Sequence, residues 1–363
     1  MPLKCGIIGL TGSGKTTLFN CISNNRAETH AAAFSGTKSN LGIMNVPDAR
    51  LQAIDKIIKS VKVIQTTIEM VDIPGLTKGG SQTEGNKFLS DIRNVDALIH
   101  VIRCFDDPQL PHLEGSVNAV RDREIVDLEL QIKDLESVEK KIVRTEKLIK
   151  AGDKDAKHGL EVLHVLKSHL ESFQSARTAP ISIDNRRFLE DMFLLSDKPV
   201  MYVCNVDDAS ATIGNDYSNR FIESIKDQGA EVLVIAARLE SEIAELESEE
   251  DRLMFLSDAG LPEPGVNRLV RVAFHLLDLQ CFFTAGPKEV RAWTIKKGMT
   301  APQASGVIHS DLERGFIRAE VMKYDDFITF GSEHACKEHG KLMVEGKNYI
   351  VGDGDILHIR FNV

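Results

Sequence analysis

The strongest constraint on the fold lies in the first twenty residues. A β-prone run, Leu3-Lys4-Cys5-Gly6-Ile7-Ile8-Gly9, leads into Gly9-Leu10-Thr11-Gly12-Ser13-Gly14-Lys15-Thr16, after which Thr17-Leu18-Phe19-Asn20 opens a helix-like stretch. This is the pattern G-x-x-x-x-G-K-[ST] in the context it requires, after a strand and before a helix. Its glycines let successive backbone N–H groups curl around phosphates, and the helix N-terminus adds partial positive charge. Lys15 would reach the β and γ phosphates and Thr16 would offer its hydroxyl to Mg²⁺. A turn of structural purpose alone has no need of the Lys-Thr pair. Gly9, Thr11, Gly12, Ser13, Gly14, Lys15, Thr16 and Thr17 are therefore candidate nucleotide-binding residues, with Lys15 also a candidate catalytic one.

Further strands are readable at 67–73, 97–102, 199–204 and 231–236. Largely apolar runs of that length suit strands buried on both faces of a parallel sheet, which predicts an α/β core. Between about 120 and 195 the texture changes. Ile125, Leu128, Ile132, Leu135, Val138 and Ile142 recur three or four apart among dense charges, and after Gly152-Asp153-Lys154 the same spacing returns in Leu163, Leu166, Leu170 and Phe173. An antiparallel helical hairpin is expected, either a solvated spacer or an element that reaches a partner. Its 14 Lys plus Arg against 15 Asp plus Glu over 119–195 favour neither. Glu240 to Glu250 reads as an acidic helical run with a solvated face. After Asp278 strand-like segments at 290–295, 316–321 and 356–361 alternate with glycine turns, and 11 basic residues balance 11 acidic ones over 280–363. The expected domains are 1–119 with 196–279, an insertion at 120–195, and an α+β module at 280–363.

Three more segments bear on chemistry. Asp72-Ile73-Pro74-Gly75, at the tip of a predicted strand and 56 residues beyond Thr16, has the D-x-x-G pattern of nucleotide switches. Asp72 would hold Mg²⁺, and the Gly75 N–H would sense the γ phosphate, a catalytic contact. Leu76 stands where many GTPases carry the glutamine that orients the attacking water, and a hydrocarbon side chain cannot do that. Asn205-Val206-Asp207-Asp208 closes another strand and is similar to a base-reading N-K-x-D box without its lysine. Asn205, Val206 and Asp208 are candidate base contacts, and Ala236 offers a backbone N–H from the next strand end. An Asx turn is the structural alternative for this segment. His334-Ala335-Cys336-Lys337-Glu338-His339 has metal-binding residue types but no fourth ligand at useful spacing, so a polar loop is the expectation.

Composition excludes several classes. The chain has 363 residues, 42% hydrophobic and 27% charged, with a net charge of −10. Bulk attraction to nucleic acid is not expected, so no DNA partner is indicated and any RNA contact must use local patches. No apolar run is long enough for a bilayer helix and the N-terminal residues lack a secretory h-region, so the expectation is a cytoplasmic protein without a membrane partner. The six cysteines are scattered without a C-x-x-C pair, which argues against a disulfide framework or thiolate zinc site.

The order of these boxes, the helical insertion and the tail together resemble the YchF subfamily of Obg-related P-loop NTPases, from Lys4 to Val363. The most specific stretches are Ile243-Ala244-Glu245-Leu246, Phe283 to Trp293 (FTAGPKEVRAW), Arg314 to Ala319 (RGFIRA) and Asp353-Gly354-Asp355. The resemblance implies a P-loop NTPase domain with a mostly parallel sheet and a C-terminal β-grasp TGS domain associated with RNA and ribosome binding. It implies ATP in preference to GTP, Mg²⁺ as cofactor, and a ribosome or ribosomal RNA partner. Leu76 fits the same family, which is similar in placing a hydrophobic residue there. The chain departs from the family at Gly12-Ser13, where Asn-Val is usual and the asparagine helps hold an activating K⁺. It departs again at Phe34-Ser35-Gly36, where Phe-Cys-Thr is usual, so that the Mg²⁺-sensing threonine would be Thr37, one place later. The loop after Leu76 is shorter, and Asp208 stands where the family tends to have Glu. The reading is a ribosome-associated ATPase, with a guanine-selective GTPase, or a non-hydrolysing nucleotide-regulated ribosome-binding protein, as alternatives.

Overall fold

A computed structural model describes residues 3–24, 40–75 and 82–362. They form twelve strands. In chain order these are β1 (Lys4–Ile8), β2 (Asn40–Asn45), β3 (Lys62–Ile64), β4 (Thr67–Asp72), β5 (Ala97–Cys104), β6 (Val200–Val206), β7 (Val232–Ile235), β8 (Leu279–Ala285), β9 (Glu289–Lys296), β10 (Phe316–Met322), β11 (Met343–Glu345) and β12 (Ile356–Phe361). Two compact units divide them. One takes in 3–24, 40–42, 69–75 and 82–266, and the other 43–68 and 267–362.

The first unit is built on a sheet ordered β2-β4-β1-β5-β6-β7. The β1/β4, β1/β5, β5/β6 and β6/β7 ladders are all parallel. Every residue of β5 and of β6 is buried, as their largely apolar runs require when helices cover both faces, with His100, Arg103 and Asn205 as buried polar exceptions. Because the strands are parallel, the ends of β1, β4, β5 and β6 meet at one edge of the sheet. There they present Gly9, Asp72, Arg103 and Asn205, the edge where open α/β sheets bind ligands.

Between β5 and β6 the chain leaves the sheet as an arm. Its first helix, Ala119–Lys150, starts at Asn118, whose side chain accepts from Arg121 N. Gly152, at φ +94°, makes the turn, and Asp153 caps the second helix, Lys154–Glu171, by accepting from Asp155 N and Ala156 N. Val138, Ile142, Leu163, Leu166 and Leu170 pack with Leu189 and Leu194 in a core of the arm's own. The buried stripe nearer the sheet differs from the one the sequence suggested. Leu128 and Ile132 are 39% and 44% exposed, while Asp122, Val126, Leu130 and Asp134 are buried. Polar residues occupy this stripe because the returning chain needs acceptors. Asp134 takes hydrogen bonds from Leu195 N (2.8 Å), Ser196 N (2.7 Å) and Ser196 Oγ (2.6 Å). Phe173 also leaves the expected stripe, since the helix has ended and Phe173 sits at φ +58°, mostly exposed.

The acidic run 240–250 is two helices rather than one. Ala237–Glu245 ends, and Ser248 caps Glu249–Asp258 by accepting from Asp251 N. Nor is its face all solvated, because Glu240 is buried and accepts from Gly265 N at 2.6 Å and Val266 N at 3.3 Å.

The second unit carries a sheet ordered β11-β10-β12-β8-β9-β3. β8/β9, β10/β12 and β10/β11 are antiparallel, whereas β12/β8 and β3/β9 are parallel. Phe282, Ile295, Phe316, Val321 and Leu357 form its core. Arg50 ties residues far apart in sequence by donating to both Asp48 and Asp353. The β3/β9 pairing explains why 43–68 groups with the tail. The tract 334–339 lies mostly in a helix, Glu333–Glu338, with Cys336 buried, and not in a loop. Among the described residues no helix is long and apolar enough to cross a membrane.

Candidate functional site

The P-loop follows β1 and delivers the helix Lys15–Asn24. Two of its glycines are required by crowding and by conformation. Gly9, at φ +146°, leaves only 2.4 Å between an added Cβ and Val101 O, and at Gly14, φ +93°, an added Cβ would lie 2.1 Å from Asn205 Nδ2. Lys15 Nζ folds back to donate to Leu10 O at 2.7 Å. Burial lowers its pKa from 10.5 to about 8, against the opposing pull of the Asp72 charge. The lysine thus caps its own loop with an ammonium that holds its proton less tightly than an exposed one.

Asp72 ends β4 beside this helix, and Thr16 Oγ1 donates to Asp72 Oδ2 at 3.0 Å. Burial raises the Asp72 carboxyl pKa, while the Thr16 bond and the Lys15 charge oppose the rise. Gly75 follows closely: an added Cβ would lie 2.6 Å from Lys15 Nζ and 2.9 Å from Thr11 N. Two motifs 56 residues apart therefore converge on one pocket edge, with hard oxygen donors next to a buried ammonium. Thr11, Thr16 and Thr17 are exposed on it. Thr37 and Leu76 lie outside the described residues.

The strand-end box at 205–208 divides into three roles. Asn205 is buried with both ends of its amide bonded, donating from Nδ2 to Ser13 O at 2.9 Å and accepting on Oδ1 from Ala237 N at 3.0 Å. It fastens the P-loop to the start of the helix Ala237–Glu245, while Val206 is buried beside it. Asp207 caps the short helical turn Asp208–Ser210 in place of the expected Asx turn, accepting from Ser210 N and Ser210 Oγ. Asp208 is exposed and lies 3.7 Å from Arg238 Nε, an ion pair at the rim. Partial burial raises its pKa and Arg238 opposes this. Ala236 is buried as the cap of the helix that begins at Ala237.

His100, Arg103, His112 and Arg238 at this edge escaped the sequence reading. Ser13 Oγ and His100 Nε2 are buried without hydrogen-bond partners and line a cavity of about 10 Å³ with Leu10, Arg103, His112 and Asp122. Such a space holds about one water. Burial drives the His100 pKa down to about 3, so the ring is neutral. His112 Nε2 bonds Asp122 Oδ2 at 2.8 Å, while Nδ1 accepts from Glu114 N at 3.0 Å, which locks its tautomer. Only their places in strand and loop patterns could have marked His100, Arg103 and His112, since none of the three belongs to a local motif. Arg238 could have been flagged by its closeness to Ala236.

The chain is similar to known proteins over its whole length. A family model described as a 50S ribosome-binding GTPase matches residues 4–147. The model of the YchF GTPase C-terminal region, described as a protein of unknown function, matches residues 279–362. The ribosome-binding ATPase YchF of Bacillus subtilis (strain 168) is 46% identical over 367 residues, and that of Escherichia coli O157:H7 43% over 365, each covering 100% of both chains. Among solved structures, the Schizosaccharomyces pombe YchF GTPase matches with a TM-score of 0.88 at 31% identity, covering 99% of this chain and 98% of that one.

Proposed function

The chain belongs to the YchF family of P-loop NTPases, and from that membership we propose that it is a ribosome-binding ATPase whose nucleotide lies along Gly9–Thr17. The observation that carries this reading is the convergence of Lys15, Thr16, Asp72 and Gly75. Lys15 would exchange its bond to Leu10 O for the β and γ phosphates, whose charge strengthens its hold on its proton. The N–H groups of the loop would take the remaining phosphate oxygens, and Gly75 N–H the γ phosphate.

Thr16 and Asp72 present two oxygens 3.0 Å apart, a hard donor set that fits Mg²⁺. They would hold the ion, which when bound supplies charge neutralisation to the phosphates, with Thr37 as the further ligand. On the base side, Asn205 acts through the P-loop, which leaves Asp208, Val206 and the backbone of Ala236 to meet the base. Without a lysine to cover the base, discrimination between adenine and guanine is weak, and ATP is favoured by kinship with the named ATPases.

The domain reading is a sheet domain at 1–119 and 196–279, the arm at 120–195, and a TGS-type module at 280–363 that makes the ribosomal RNA contact. The protein works in the cytoplasm. The test is turnover and calorimetry of purified protein with ATP and GTP, with and without ribosomes. ATP hydrolysis stimulated or retained on ribosomes is expected. Binding without turnover would favour the non-hydrolysing alternative, and guanine selectivity the GTPase.

A further inference from the structure

Arg103 is the register partner of Asn205 on the neighbouring strand, so the two side chains stand side by side at the edge where the P-loop lies. Only 4% of Arg103 is exposed. Its Nε donates to Phe105 O at 3.1 Å and its Nη2 to Leu110 O at 2.8 Å, while the guanidinium lies 4.6 Å from the centroid of the Phe105 ring. Both carbonyls belong to the loop that follows β5. The remaining nitrogen, Nη1, faces the P-loop, where an added Cβ at Gly12 would lie 3.7 Å from it and 3.8 Å from Leu110 Cδ2.

Among the described residues no carboxylate pairs with Arg103. A buried guanidinium bonded only to carbonyls keeps its whole charge, and a buried charge without a counter-charge is unfavourable. The described residues place no carboxylate within ion-pair reach, Asp122 only lining the same small cavity, and an anion seated in the phosphate cradle that Gly12 helps to form would supply the counter-charge.

We propose that Arg103 is a positioning residue for the polyphosphate: it clamps the loop Phe105–Leu110 against the P-loop at Gly12, and the nucleotide's phosphates supply its missing counter-charge. This rests on reading the P-loop as the triphosphate site. Asn205 fixes the loop through Ser13 on one side, and Arg103 backs it at Gly12 on the other. One clamp is neutral and the other charged, so their removal has different signatures. Loss of a charge weakens ligands in proportion to their phosphates, whereas loss of a structural tie weakens them alike.

The experiment is calorimetry of the full-length protein and its Arg103→Met, Arg103→Gln and Arg103→Lys variants with ATP, ADP and AMP in Mg²⁺ buffer, with Lys15→Ala as control. In Arg103→Met and Arg103→Gln the ATP affinity falls about tenfold, ADP less and AMP little, and Arg103→Lys recovers most of the ATP loss. Equal losses for the three nucleotides, no loss at all, or a Lys variant no better than Gln would overturn the proposal while leaving the nucleotide site standing. The Lys/Gln comparison remains decisive if Arg103→Met does not fold. A wild-type chain whose affinity is indifferent to phosphate number, or to Lys15→Ala, overturns the nucleotide site and this inference together.

Discussion

Replacing Asn205 by alanine separates a clamp from a base reader. The wild-type amide satisfies two buried backbone groups, the Ser13 carbonyl and the Ala237 N–H, at 2.9 and 3.0 Å. Truncation leaves both without partners. Each orphaned buried group costs roughly 1–3 kcal/mol, so the loss is about 2–6 kcal/mol, with the lower end reached if water enters the gap. For a unit of this size that is roughly 4–24 °C in melting temperature. Thermal unfolding of the nucleotide-free protein, followed by circular dichroism, measures it, and Asn205→Asp sharpens it. The aspartate keeps an acceptor for Ala237 but turns a second acceptor toward Ser13 O, so it should be no better than alanine. Both variants should weaken ATP and GTP by the same factor, because the P-loop loosens whatever the base. An unchanged melting temperature together with a selective loss of one nucleotide would refute the clamp and restore Asn205 as a direct reader of the base.

Other expectations follow from the same geometry. Between pH 8 and about 10.5 unfolded Lys15 holds a proton that the folded, nucleotide-free site has released, so stability rises with pH across that window, by roughly 3 kcal/mol at most. Denaturant titrations at several pH values should show the rise, and Lys15→Met should flatten it. Asp208→Asn should leave ATP affinity unchanged and alter GTP affinity less than threefold. A selective GTP loss of tenfold or more, about 1.4 kcal/mol, would instead make the carboxylate a guanine reader. Asp134→Ala deprives Leu195 N, Ser196 N and Ser196 Oγ of their acceptor and should cost about 3 kcal/mol in urea unfolding while nucleotide affinity holds. A loss under 1 kcal/mol would show that water replaces the carboxylate.

What was legible in the sequence was whatever is local. The strand, loop and helix of the P-loop, the strands β4 to β7, and both arm helices announce themselves through patterns shorter than a helix. The convergence of Thr16 with Asp72 was readable because both motifs end strands of one parallel sheet. The ties between distant segments were not. Asn205 resembles a base reader in its own neighbourhood, and only the fold shows its amide spent on Ser13 and Ala237. Arg103, His100 and His112 sit in runs that look like ordinary strand and loop. The arm's stripe was misplaced at its root because Asp122 and Asp134 stand at core positions that a count of apolar residues passes over. Likewise β3 has three residues, two of them exposed, and exists through its pairing with β9, hundreds of residues away.

The grip of Asp134 on Leu195 and Ser196 has a mechanical side. It pins the 32-residue first helix of the arm near its middle, with about 24 Å of helix to either side. A rod held at such a point is supported on both sides of it: beyond it Val138 and Ile142 lie in the arm's own core, and toward its foot Val126 and Leu130 lie in the core of the sheet. The foot holds Asp122, and Asp122 holds His112 beside the phosphate loop.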